Sequence, residues 1–281
     1  MVSPRGRRGV VERLVTERGL SQRHACGLVS LPRSSARYKP CARSDEAETV
    51  ALIREYAHEQ PMYGYRIIAA MLKHDGYPIN RKRVYRIWRQ EGLQLPRRKA
   101  VKRRYGESTG KLRRASRPNE VWTYDFLEGR TERGGKLRLL TILDEYTREC
   151  LTIQVARSIS SRQVIGVLEW LFVLRGAPGH LRSDNGPEFI ADALQQWLQD
   201  RHCNTLYIQP GHPWENPFIE SFNGTFRGDC LNRWVFANGH EAQIVIEQWR
   251  QEYNHRRPHS SLGYLPPAAF AEQARLSLQL V

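Results

Sequence analysis

The sequence lacks any long apolar run. Its best candidate, "VIGVLEWLFVL" at 164–174, is broken by Glu169 and falls short of the roughly 18 apolar residues that a membrane span needs. No apolar h-region follows the basic start "MVSPRGRRGVVERLV", so no signal peptide is expected there. Cysteines are few and unpaired: the five, at 26, 41, 150, 203 and 230, include no CxxC. That argues against a disulfide framework or a zinc knuckle and points to reduced thiols in a cytoplasmic protein. Acidic residues are scarce in the front of the chain. Residues 1–118 hold 28 Lys/Arg against 10 Asp/Glu, a net +18, whereas residues 119–281 hold 16 against 19, a net −3. A basic module joined to a near-neutral one implies a polyanion-binding part beside a part with another task. A length of 281 residues allows one large core or two to three smaller domains.

The front half reads as helices. "VVERLV", "QRHACGL" with Ser21 as cap, and "PRSSARY" opened by Pro32 make a three-helix, helix-turn-helix-like unit over 1–44, with Arg33, Ser34 and Arg37 on its reading helix. A second such unit spans 45–95, built from "ETVALIREYAHE", "YGYRIIAAMLKHDG" and "INRKRVYRIWRQEGL". In the last of these Asn80 is the expected N-cap and Gly92 the expected C′ residue. Val84, Ile87 and Trp88 form its apolar stripe, while Arg81, Lys82, Arg86 and Arg89 lie largely off it. A solvated surface face would carry balancing acids, and these are nearly absent, which favours contact with DNA. Residues 96–118 are a basic linker in which Arg97, Arg98, Lys99, Arg103 and Arg104 can track phosphates.

From 119 the periodicity changes to three strands in a row ("EVWTYDFLEG", "KLRLLTILDEYTREC", "LTIQVARS"). Alternating helices and strands follow, with a last pair of helices from about Pro217 and from about His240 to Tyr253. This order implies an α/β core with a mixed sheet covered by helices on both faces. Asp125 lies mid-strand in "WTYDFL", and Asp184 ends the fourth strand in "LRSDNGPEF". The fourth strand can lie beside the first. Glu220 sits in the first turn of "NPFIESFNGTF", a helix that Asn216 can cap, with Pro217 at N1 and Phe218, Phe222 and Phe226 as anchors; Asn223 and Arg227 share the Glu220 side. Three converging carboxylates repel one another unless divalent cations neutralise them. Two Mg²⁺ ions, held by few carboxylates, suit in-line phosphoryl displacement. Asp144 is an alternative ligand, weighed against a role supporting the strand turn or pairing with Arg148. In the tail, Arg256, Arg257 and His259 are candidates for DNA phosphates, against a role in closing the fold; Pro258 excludes a continuous helix.

These motifs resemble the insertion-sequence transposases whose core carries an Asp-Asp-35-Glu triad. The residues that carry the likeness are "WTYDF", "LRSDNGPEF", "ENPFIESFNGTFRGDCLN" with 35 residues between Asp184 and Glu220, "YGYRIIAAML…NRKRVYRIWRQEGL" and "YNHRRPHSSLGYLPPAAF". The resemblance runs from about residue 20 to 270 and is to the product of a second reading frame. It implies a ribonuclease H-like catalytic core over 119–275, with a C-terminal extension, behind the helix-turn-helix DNA-binding units. It implies catalysis and metal binding by Asp125, Asp184 and Glu220, with two Mg²⁺ ions for which Mn²⁺ can substitute. It further implies cleavage and strand transfer on double-stranded DNA at element ends and target, and a homo-oligomer on DNA. Fusion or association with an upstream-frame DNA-binding protein belongs to the same picture, as does a nucleoid-associated, cytoplasmic, membrane-free location. The rivals are a nuclease of this fold that cuts without joining, and an inert transposase-derived repressor.

Overall fold

Residues 4–38, 44–96, 114–183, 192–207 and 216–279 are described by a computed structural model. The chain divides into two compact units, 1–52 and 53–281. In the first, α1 (Pro4–Thr16), α2 (Gln22–Leu28) and α3 (Arg33–Arg37) bury Val11, Ala25, Cys26 and Leu31 together. Ser21 caps α2 as expected, its side chain accepting the N–H of His24; Pro32 stands one residue earlier than expected, at the N-cap of α3. A fourth helix, α4 (Glu46–Glu59), runs across the division.

In the second unit, α5 (Tyr65–His74) and α6 (Arg81–Gln90) pack through Ile68, Met71 and Leu72 and through Val84, Ile87 and Trp88. The Asn80 side chain accepts the N–H of Lys82, and Gly92 follows the helix at φ +70°, a left-handed conformation that glycine adopts without a Cβ clash. The sheet has the order β3-β2-β1-β4-β5, from β1 (Val121–Arg130), β2 (Lys136–Asp144), β3 (Cys150–Ala156), β4 (His180–Ser183) and β5 (Asn204–Tyr207). The first three strands are antiparallel, while β4 joins β1, and β5 joins β4, in parallel. The expected neighbourhood of the first and fourth strands is therefore formed.

Strand alternation sorts the side chains onto two faces. Trp122, Tyr124, Leu140 and Ile142 meet α7 (Ser161–Arg175) and α8 (Asp192–Gln199). Leu127, Leu137, Leu139 and Leu143 meet α9 (Pro217–Phe226) and α10 (Gly239–His255). A capping box between Ser160 and Gln163 starts α7. Beyond α9 a π-helical turn, Arg227–Leu231, redirects the chain. A final helix, α11 (Pro267–Gln279), was not among the expected elements. Pro267 opens it at a position where a missing N–H leaves no bond unmade. No helix among the described residues is long and apolar enough to cross a membrane.

Phe226 is fully buried, 4.7 Å from the Trp249 ring and 6.1 Å from the Phe222 ring. Phe226→Ala should destabilise the second unit by about 3–5 kcal/mol through the cavity it leaves, measured by chemical denaturation. A change under about 1 kcal/mol would show that this face is not packed as described.

Candidate active site

One row of the apolar sheet face is polar. On β1 it contains Thr123 and Asp125, and Thr141 stands opposite Asp125 on β2. Two side chains, Asn216 at the start of α9 and Asn223 in its last turn, satisfy this row. The Thr123 hydroxyl donates to Asn216 Oδ1 at 2.6 Å. Asn223 Nδ2 donates to Asp125 Oδ2 at 2.7 Å, while Asn223 Oδ1 accepts the Thr141 hydroxyl at 3.2 Å. Asp125 Oδ1 accepts its neighbour's N–H, from Phe126, at 2.8 Å. Polar groups at a packed interface require such partners, and here the partners also fix the carboxylate's orientation. Asn216 begins the helix as expected, yet its side chain makes no cap bond, being engaged by Thr123.

Glu220 lies in the first turn of α9, exposed, and its carboxylate has no hydrogen-bond partner among the described residues. Partial burial alone raises its pKa from the ordinary value. It precedes Asn223 by three residues, so it projects from the side of the helix that grips Asp125. Asn223 itself was expected to face DNA. It is instead 5% exposed, with its amide turned to Asp125 and Thr141; the polar row on the sheet draws it inward. Asp184 lies outside the described residues. Among the described residues no three His, Cys, Asp or Glu side chains are grouped to hold a metal.

Asp144 supports the strand turn. Its carboxylate accepts the N–H groups of Asn119, Tyr146 and Thr147 at 2.8–2.9 Å, and burial pushes its pKa up against those bonds. It makes no side-chain pair with Arg148, whose guanidinium lies over the Phe218 ring at 3.7 Å. Just before Asp184, buried Arg182 donates to buried Glu145 at 2.7 Å. Burial raises the Glu145 pKa more than Arg182 lowers it.

Arg81, Lys82, Arg86, Arg89 and Arg227 are exposed, and so is Arg256, which stands 3.9 Å from Asp75. Arg97, Arg98, Lys99, Arg103 and Arg104 fall outside the described residues. Arg257 was expected on DNA phosphates. Its side chain is only 14% exposed, is ion-paired with Asp229 and lies over the Tyr63 ring at 4.3 Å, so it closes the fold. Half-buried His259 has Ser261 Oγ 2.9 Å from its Nδ1. Sequence reasoning missed Thr123, Thr141 and Asn254. The Asn254 amide bonds both the N–H and the carbonyl of Cys150 at 2.8 Å. The available signal was a lone threonine inside the apolar run "LLTIL".

Residues 115–213 and 201–267 match the integrase core domain family, and residues 43–101 match an HTH-like domain family. Fold and matches together define a ribonuclease H-like polynucleotidyl transferase core of the integrase type behind a helical DNA-binding segment. A 31.7 kDa protein of insertion element IS407 from Burkholderia multivorans is 39% identical over 91% of this chain and 92% of its own length. A 39.2 kDa protein of insertion element IS476 from Xanthomonas euvesicatoria is 36% identical over 98% of this chain and 79% of its own. The transposase InsD of insertion element IS2 from Escherichia coli is 30% identical over 82% of this chain and 80% of its own. The simian T-cell lymphotropic virus intasome, solved with PP2A regulatory subunit B56 gamma, matches 81% of this chain and 76% of its own. Its TM-score is 0.50 at 16% identity, a likeness of fold. The chain belongs to the insertion-element transposases with an integrase core.

Removing Glu145 takes a buried ion-pair partner from Arg182, and breaking a buried pair is destabilising. Glu145→Ala should therefore lower stability by about 3–5 kcal/mol, read as a shift in the urea midpoint. A variant as stable as the parent would mean that this pair does not support the end of β4.

Proposed function

We propose that Asp125, Asp184 and Glu220 form the catalytic triad of a metal-dependent DNA strand-cleavage and strand-transfer enzyme acting at insertion-sequence ends. The observation that carries this reading is the docking of α9 on β1 through Asn223 and Asp125; Glu220 precedes Asn223 by three residues and so shares its side of the helix. Two further facts support it. The β1–β4 register pairs Val121 with His180 and Thr123 with Arg182, and that offset is also the sequence separation of Asp125 and Asp184. Between Asp184 and Glu220 lie the 35 residues of the family pattern.

The donor set fits divalent cations. Asp125 is oriented by one amide and one backbone N–H, and Glu220 is exposed. All of these are hard oxygen donors, as Mg²⁺ or Mn²⁺ requires. When bound, such ions supply activation of the attacking oxygen and stabilisation of the leaving one. The chain's own residues do the rest. Asn223 and the Phe126 N–H orient Asp125, Thr141 holds the Asn223 amide, and α9 carries Glu220 on the same side as Asn223. Arg81, Lys82, Arg86 and Arg89 on α6 are proposed to hold duplex phosphates, joined by the linker arginines and Lys99, by Arg227 and by Arg256.

The domain limits 1–44, 45–95, 96–118 and 119–275 belong to the same proposal. So do a homo-oligomer on DNA, association with an upstream-frame DNA-binding protein and a cytoplasmic location at the nucleoid.

Asp184→Asn should abolish Mg²⁺-dependent cleavage of linear DNA bearing the element's own ends while leaving DNA binding intact. Parent-like cleavage by this variant would remove the triad. Asn223→Ala should lower cleavage about 10- to 100-fold and raise the Mg²⁺ concentration for half-maximal rate, because a loosened Asp125 binds the ion less well. A fall in rate at an unchanged Mg²⁺ requirement would show that Asn223 acts on packing alone.

A further inference from the structure

On the side of α9 away from Glu220 lies a cleft of about 640 Å³. Its walls are the start of α5 at Gly64–Ile67, Leu143 and Arg148, the Pro217–Thr225 face of α9, Tyr253, and the tail at 257–264. Three arginines line it (Arg66, Arg148 and Arg257), and no aspartate or glutamate does. Arg257 is balanced by Asp229. Arg66 and Arg148 form no ion pair among the described residues. The carboxylates that act on Arg148 are Glu145, which takes Arg182 through Oε1 and has Oε2 buried without a hydrogen-bond partner, and Asp144, which accepts three backbone N–H groups. Arg148 Nη1 is buried without a hydrogen-bond partner, an arrangement that is unfavourable unless negative charge stands nearby.

One more feature adds to the positive potential of the cleft, and the neutral His259 reports it. Helix α5 opens onto it with Gly64 at the N-cap, no side-chain cap and no acidic residue in its first turn, so its unsatisfied N–H groups and dipole carry positive charge there. His259 is held neutral, its pKa pushed down to about 4 by burial and then by Arg148 and Arg257. Hydroxyls of Ser221, Thr225 and Ser261 add hydrogen-bonding groups to the lining.

A ladder of rings and guanidinium groups connects this cleft to the basic face of α6. Arg89 lies over Tyr85 at 6.0 Å, Tyr85 stands 4.7 Å from Tyr65, and Arg66 lies over Tyr65 at 5.7 Å.

We propose that this cleft is a second anion site, which takes a backbone phosphodiester of the DNA strand held along α6, on the opposite side of α9 from the carboxylates. The proposal rests on the reading of the chain as a DNA-handling enzyme. It adds Arg66, Arg148 and the α5 N-terminus to the DNA-holding surface, and it gives the tail motif "RPHSS" the task of shaping a phosphate pocket.

The test uses the full chain and a short random-sequence duplex, with binding followed by anisotropy across a salt series and folding by thermal melting. Arg66→Ala removes an exposed cation, and Ser261→Asp places a negative charge in the cleft at an exposed position. Each should weaken duplex binding about five- to tenfold at low salt, and Arg66→Ala should reduce the slope of log affinity against log salt by about 1, with melting unchanged. Parent-like affinity and slope in both variants would overturn the proposal. A second arm titrates inorganic phosphate. If phosphate raises the melting temperature of the parent but not of Ser261→Asp, while duplex binding is the same in both, the cleft takes a small free anion and the DNA assignment is wrong. The Asp184→Asn variant separates the two readings. Inactive Asp184→Asn with unaffected cleft variants refutes the cleft alone, and active Asp184→Asn with weakened cleft variants refutes the triad alone.

Discussion

The hydrogen bond from Asn223 to Asp125 fixes where α9 stands on the sheet. Around it, Ile219, Phe222 and Phe226 pack against leucines of β1 and β2, and such contacts are non-directional. A helix held by them alone could slide or rotate by a fraction of a turn at small cost. The amide–carboxylate bond at one end and the Thr123–Asn216 bond at the other permit only one setting. Glu220 lies between those two anchors in sequence. Its position on the sheet is therefore inherited from the docking and requires no bond of its own.

Charge is divided in the same spirit. The cations of α6 lie on the surface with few acids beside them, whereas the arginines of the core are nearly all answered. Arg182 meets Glu145, and Arg175 and Arg275 both reach Glu149 at 2.8 and 3.2 Å. Buried pairs of this kind contribute little net stability, since desolvation offsets attraction, but breaking one is expensive. They hold in place the segments on either side of the sheet. The tail follows this pattern: Tyr253, Asn254 and Pro258 are buried, and Arg257 joins the tail to Asp229 and Tyr63.

Much of the architecture was legible in the chain. Periods of two and of 3.6 located the five strands and most helices, because burial of one face per element is a local pattern. Ser21, Asn80, Gly92 and Pro217 marked their helix ends by local backbone chemistry. The 35-residue spacing and the motifs around it pointed to the insertion-element transposases before any contact was known. Asn223 was assigned to the right side of α9 and to the wrong neighbour, since helical spacing gives direction around an axis and says nothing of what lies opposite. The final helix, α11, was overlooked behind two adjacent prolines.

Composition and periodicity thus determined by themselves the basic front and the mixed sheet, and the motifs carried the resemblance to the family; all of these depend on residues near one another in sequence or on a counted interval. Only the tertiary structure decided that Asp125 is gripped by Asn223, that Asp144 supports a turn, that Arg257 closes the fold and that Arg66 and Arg148 share a cleft. Those partners lie between 28 residues (Asp229 and Arg257) and 194 residues (Tyr63 and Arg257) apart or depend on backbone N–H groups. Which polar group meets which across such distances follows from how the apolar faces close, and no local pattern in the chain records that closure.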